Sequence, residues 1–200
     1  MRTIAYRHAA VVGLAAVALT AAGCSNSTNL DVSAQPQVAL VVTSEVPAPP
    51  AEVKLTGERD VEVTLTGPIA AKYSSATDKQ KAALGKPLTG DHNAGTRDSG
   101  VVFQQFQGGA IVAKNSQPGT PAYIIWGKIR QAWNVQRDAD GVPSATGTNG
   151  SAGPLGVVTS DENAVGDQLV ATFEHGKIAY NSTTGQVEVT VNGKVVPSGL

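Results

Sequence analysis

The stretch "VEVTLTGPI" at Val61–Ile69 is echoed near the end of the chain by "VEVTVNGKV" at Val187–Val195. Both carry Val-Glu-Val-Thr and, three residues beyond, a glycine. In the first copy Val61, Val63 and Leu65 alternate with Glu62, Thr64 and Thr66. In the last, Val187, Val189 and Val191 alternate with Glu188, Thr190 and Asn192. Period-two alternation of this kind predicts a strand buried on one face. A third version, "PAYIIWGKI" at Pro121–Ile129, lies between them. It places Tyr123 and Ile125 on one side and Ile124 and Trp126 on the other. Apolar on both faces, it reads as an internal strand.

Other segments repeat around these strands, which predicts tandem units that bury their cores together. "GPIAAKY" at Gly67–Tyr73 matches "GKIRQAW" at Gly127–Trp133, and "FQGGAI" at Phe106–Ile111 matches "FEHGKI" at Phe173–Ile178. "ALGKPLTGD" at Ala83–Asp91 matches "PLGVVTSD" at Pro154–Asp161. Ile69 with Tyr73, and Ile129 with Trp133, fall one helical turn apart, so a short helix follows each strand. Pro68 suits a first helical turn, and Thr77-x-x-Gln80 has the pattern of a capping box opening a second turn over Thr77–Leu84. Hairpins are expected at Gly108–Gly109 and at His175–Gly176. The insertion "GVPSATGTNGSAG" at Gly141–Gly153 reads as a flexible surface loop. The expected fold is mainly β with short helices (α+β), each unit running strand, short helix, loop, hairpin. A closing edge strand over residues 187–195 ends the array.

The N-terminus has a different character. Arg2 and Arg7 precede the uncharged run Ala9–Ala22, which has the length of a signal-peptide core and not of a membrane span. "LTAAGC" leads into Cys24, the chain's one cysteine, so no internal disulfide is possible. This stretch resembles the lipobox of bacterial lipoproteins, with Ala21 where leucine is usual. The resemblance implies a signal peptide over residues 1–23, lipid on Cys24 and a membrane anchor facing outward from the cell. Residues 24–60 read as a Pro-containing tether that spans up to roughly 100 Å if extended. Within it, "VALVVTSEV" at Val38–Val46 is apolar enough for a strand. Lys and Arg number 15 against 16 Asp and Glu. Without a basic cluster, a nucleic-acid partner is disfavoured.

From Ile69 to Tyr180 the order of motifs resembles the LGFP repeat. The namesake tetrapeptide stands as Leu84-Gly85-Lys86-Pro87 and as Leu155-Gly156-Val157-Val158, and "TSDE" at Thr159–Glu162 is "TGDH" at Thr89–His92. The resemblance implies an LGFP-repeat domain over 61–200, with unit one over 61–120 and unit two over 121–186. It further implies an actinobacterial envelope protein whose partner is a cell-wall polysaccharide such as arabinogalactan, or peptidoglycan.

Chemistry is sparse. A G-x-S-x-G elbow is lacking, and His92 and His175, the two histidines beyond the leader, match no zinc spacing. His92 sits among turn-forming residues and His175 at a hairpin turn. Asp161 and Glu162 read as a cap or solvated turn and not as an acid–base pair. No catalytic residue, metal or cofactor is therefore expected. Candidate ligand contacts are Trp126, Trp133, Tyr73, Asp161 and His175, although a core role competes for most of the aromatics. Trp126 stands out, because its counterparts Thr66 and Asn192 are polar. The function expected is non-catalytic attachment of a lipoprotein to a wall polymer. The alternatives are a hydrolase- or esterase-type envelope enzyme and a scaffold for one.

Overall fold

The computed structural model describes residues 51–148 and 153–200. The leader, Cys24 and Val38–Val46 lie outside the described residues. The fold is mainly β with three short helices among the described residues. Strand β1 (Glu52–Thr56) pairs antiparallel with β2 (Glu62–Thr66) over five residue pairs. Residues 52–56, assigned from sequence to the tether, therefore belong to the fold, which begins ahead of Val61.

From β2 the chain turns at Gly67 (φ 52°) into α1 (Gly67–Ser75). The capping box expected at Thr77 opens α2 (Asp78–Leu84), with both reciprocal bonds made. A four-stranded meander follows: β3 (Ala94–Thr96), β4 (Val102–Gln105), β5 (Gly109–Ala113) and β6 (Ala122–Trp126), in that spatial order. A second positive-φ glycine, Gly127 (33°), takes β6 into α3 (Gly127–Asn134).

Strand β7 (Val135–Arg137) then pairs with β8 (Pro143–Thr148). The insertion read as a flexible loop thus contains a strand. Its glycine- and serine-rich composition hides this, because β8 is organised by pairing with a neighbour and not by its own apolar side chains. The last sheet has the order β13-β12-β11-β10-β9, built from β9 (Asn163–Val165), β10 (Gln168–Phe173), β11 (Gly176–Asn181), β12 (Val187–Val191) and β13 (Lys194–Val196).

The two units superpose bond by bond. Gly108 N donates to Leu84 O as His175 N donates to Leu155 O, and Gln107 N donates to Lys86 O as Glu174 N donates to Val157 O. Leu88 N donates to Gln105 O as Thr159 N donates to Thr172 O. The Lys86 and Val157 N–H groups donate in turn to side-chain oxygens of Gln107 and Glu174. The tetrapeptide is therefore a clasp on the hairpin. Leu84 and Leu155 are buried, and Gly85 and Gly156 adopt φ 70° and 71°. Either glycine changed to alanine puts a Cβ within 2.8 Å of the Gln107 or Glu174 side chain and strains the backbone. A loss of about 2 kcal/mol per site is expected in urea unfolding.

The helix aromatic of each unit rests on the hairpin aromatic of the same unit. Tyr73 stacks on Phe106 and Trp133 tilts on Phe173, each with ring centroids 5.8 Å apart. These pairs anchor two hydrophobic cores, one on each face of the first meander. The α1 side holds Phe106, Ile111 and Ile124, and the α3 side holds Val112, Ile125 and Trp133. Strand β5 is buried along its full length between them.

Two expectations about the echoed strand change here. Strand β6 is an edge of its sheet, so its double apolarity reports two covered faces and not an internal position. The last copy is not the edge. Asn192 (φ 49°) and Gly193 (φ 79°) turn it back as a hairpin, and β13 forms the edge. Thr66 and Trp126, which precede the helix-opening glycines, are instead extended at φ −131° and −124°. The last copy has also slipped by one residue in its sheet. Val191 opposes Gly176 where Trp126 opposes Gly109, which turns Val189 and Val191 inward.

Candidate functional site

Strand β6 leaves one row of N–H groups unpaired by backbone, and two carboxylates fill the row. Ile124 N donates to Asp161 Oδ1 at 2.7 Å, and Trp126 N donates to Glu162 Oε1 at 2.6 Å. The Lys72 ammonium on α1 donates to the other oxygen of Asp161. The "TSDE" segment is thus a side-chain cap on a sheet edge, its two carboxyl groups accepting from alternate residues of the strand. In unit one the matching edge is open. A groove of about 360 Å³ separates Thr64–Thr66 from Ala94–Thr96.

Glu162 is mostly withdrawn from water, and this burial pushes its carboxyl up to about 7, with the Trp126 N–H opposing and the Asp161 charge adding. Between about pH 4.5 and 7 the folded state therefore binds more protons than the unfolded state, and stability falls as pH rises through that window. The expected loss is roughly 1–2 kcal/mol, reduced from the full shift because the carboxyl stays partly exposed. Urea titrations at pH 4.5 and 7.5 measure it, and in a Glu162→Gln variant this component should vanish.

Of the residues selected from sequence, Trp126 and Asp161 come together at this edge. Trp126 is half-buried and packs on the core beside α1. Trp133 is only 5% exposed, and its indole N–H donates to Gly156 O at 3.0 Å. Tyr73 lies in the other core, with the Lys81 ammonium 5.7 Å from its ring centroid. His175 is exposed on the second hairpin, where its N–H donates to Leu155 O, next to the Gly156 that Trp133 bonds. The five residues do not form one surface. Lys86, which replaces phenylalanine in the tetrapeptide, leaves the core and bonds Asp60 at 2.9 Å, whereas Val157 remains buried.

Sequence reasoning missed Lys72. Its ammonium lies on a groove of about 660 Å³ between α1 and the Pro118–Ala122 segment. Pro68, Ala71, Pro118, Pro121 and Ala122 give the groove an apolar floor. The only sequence signal was a lone lysine on the outer side of an amphipathic helix, the usual pattern of a solvated face.

Residues 84–141 match the LGFP repeat family. The match starts on the first clasp and runs through the hairpin, β6 and α3 to Gly141. The LGFP frame therefore straddles the two units defined by the echoed strand, and β6 belongs to both. No curated protein matches the chain. Among the described residues, no helix is long and apolar enough to cross a membrane, and no cluster of histidine, cysteine and carboxylate side chains could hold a metal.

Proposed function

We propose that the protein is a non-catalytic lipoprotein, anchored outside the cell membrane through lipid on Cys24, that grips a cell-wall polymer. Arabinogalactan and peptidoglycan are the polymer classes proposed. The observation that carries the reading is the LGFP repeat at residues 84–141. The groove beside α1 supports it. An open trough with an apolar floor and Lys72, itself paired with Asp161, on one wall suits an extended polar chain better than a small enclosed ligand.

The mature protein should co-sediment with purified wall sacculi, and Lys72→Glu should weaken the association severalfold. Sedimentation indistinguishable from that of an unrelated protein of similar charge sinks the wall reading. Membrane attachment is tested separately. A Cys24→Ala variant should move to the soluble fraction, since stable anchoring needs two or more acyl chains.

A further inference from the structure

A second cavity lies on the opposite face of the first meander, away from the groove and the carboxylate cap. It sits between β4–β6 and α3 and measures about 80 Å³. Two arginines line it. Arg97 follows β3 and lies 4.8 Å from the Phe103 ring centroid. Arg130 on α3 donates through Nη2 to the side-chain oxygen of Gln105. Phe103 and Gln105 are alternate residues of β4, so one strand face positions both guanidinium groups.

Among the described residues, neither guanidinium is ion-paired with a carboxylate. Asp91 and His92 share an outer depression with Arg97 and make no ion pair with it. Arg130 is withdrawn from water, which lowers its pKa. A cation drawn into an apolar site without a counter-charge is unfavourable, and a planar fork of N–H donors matches a carboxylate in particular. The rest of the wall is apolar, with Ile125 and the Trp133 ring, apart from the Asn134 side of the cavity.

We propose that this cavity binds a small carboxylate, held between Arg97 and Arg130, with a short alkyl group against Ile125 and Trp133. Gln105 is a positioning residue that aims Arg130. The volume restricts the enclosed part to an acid of about three carbons. Such a group is either a free short-chain acid or the carboxylate end of a longer chain. The inference rests on the cavity alone and stands or falls separately from the wall reading.

The test is an NMR titration of the mature protein with propionate, N-acetylalanine and, as the uncharged control, propionamide. The Trp133 indole N–H and the Arg130 side-chain signals should shift saturably with propionate and stay in place with propionamide. Saturation by propionate alone identifies a free acid, and saturation by N-acetylalanine as well admits a chain terminus; both outcomes support the proposal. Arg130→Met and Arg97→Met should each weaken binding at least tenfold, and Arg130→Lys should recover only part of the loss. If Arg130→Met does not fold, the part-exposed Arg97 carries the comparison. Absence of a saturable shift with either acid, equal shifts with propionamide, or unchanged affinity in folded arginine variants overturns the proposal.

Discussion

Replacing Phe106 with alanine should lower the free energy of unfolding by about 4 kcal/mol and the thermal midpoint by roughly 10–15 °C. Phe106 is fully buried, stacks nearly parallel on Tyr73 and forms a β-bridge with Pro87 of the clasp. Truncation removes a large apolar side chain from a site walled by strands on one side and by α1 on the other. That site cannot collapse without moving the sheet. Phe106→Leu keeps most of the volume and should cost about 1.5 kcal/mol. Differential scanning calorimetry of both variants separates lost volume from lost ring stacking. A Phe106→Ala midpoint within about 3 °C of the parent would mean that the two cores are less coupled than the shared sheet implies.

The second large effect lies at Arg137. Its guanidinium is buried without a carboxylate and instead donates to four carbonyl oxygens: Gly141, Pro197, Ala132 and Ser198. Ala132 belongs to the last turn of α3, where the helix dipole favours a cation. Arg137→Leu removes the donor and leaves several acceptors short of partners, for an expected loss of about 3 kcal/mol. Two of the acceptors lie in the final four residues, so ending the chain at Val196 should remove part of the same stabilisation. The combined variant should lose little more than Arg137→Leu alone, a coupling that a double-mutant cycle in urea reads directly. Simple additivity of the two losses would refute the pin.

Local patterns carried much of the fold into view. The Ile69–Tyr73 and Ile129–Trp133 spacings, the Thr77 capping box and the two glycine hairpins are set by contacts within a few residues, and all appear where expected. What escaped depends on distant partners. Strand β1 follows a proline-rich stretch, and β8 lies in a Gly-Ser-Thr stretch. Each is a strand because a neighbour supplies the ladder. The edge position of β6 was invisible for a related reason. Sequence shows which faces are apolar, whereas backbone pairing leaves no mark on side-chain choice. At the candidate site, Asp161 and Trp126 were legible as unusual residues in their repeat positions. The bonds that bring them to one edge, Ile124 N–H to Asp161 and Trp126 N–H to Glu162, and Lys72 on the groove wall, required the folded chain. Trp133 and Tyr73 stand among the candidate ligand contacts, but the fold uses both in aromatic pairs, Trp133 buried on Phe173 and Tyr73 partly buried over the buried Phe106.

The Asn192-Gly193 turn gives the last copy of the strand a different continuation from the other two. Thr66-Gly67 and Trp126-Gly127 send a strand onward into a helix, and the α3 helix covers the outer face of the preceding meander. Asparagine at this step accepts the left-handed backbone, and the pair of positive-φ residues closes a hairpin. The sheet face beside the turn changes with it. Ala110 and Ile125 of the first sheet give way to Lys177 and Thr190 in the last. Growth by a further unit would need the dipeptide and that face to change together. The step from strand to helix is thus replaced at two levels, one in backbone geometry and one in the polarity of the neighbouring sheet face, the combination expected of a capping repeat.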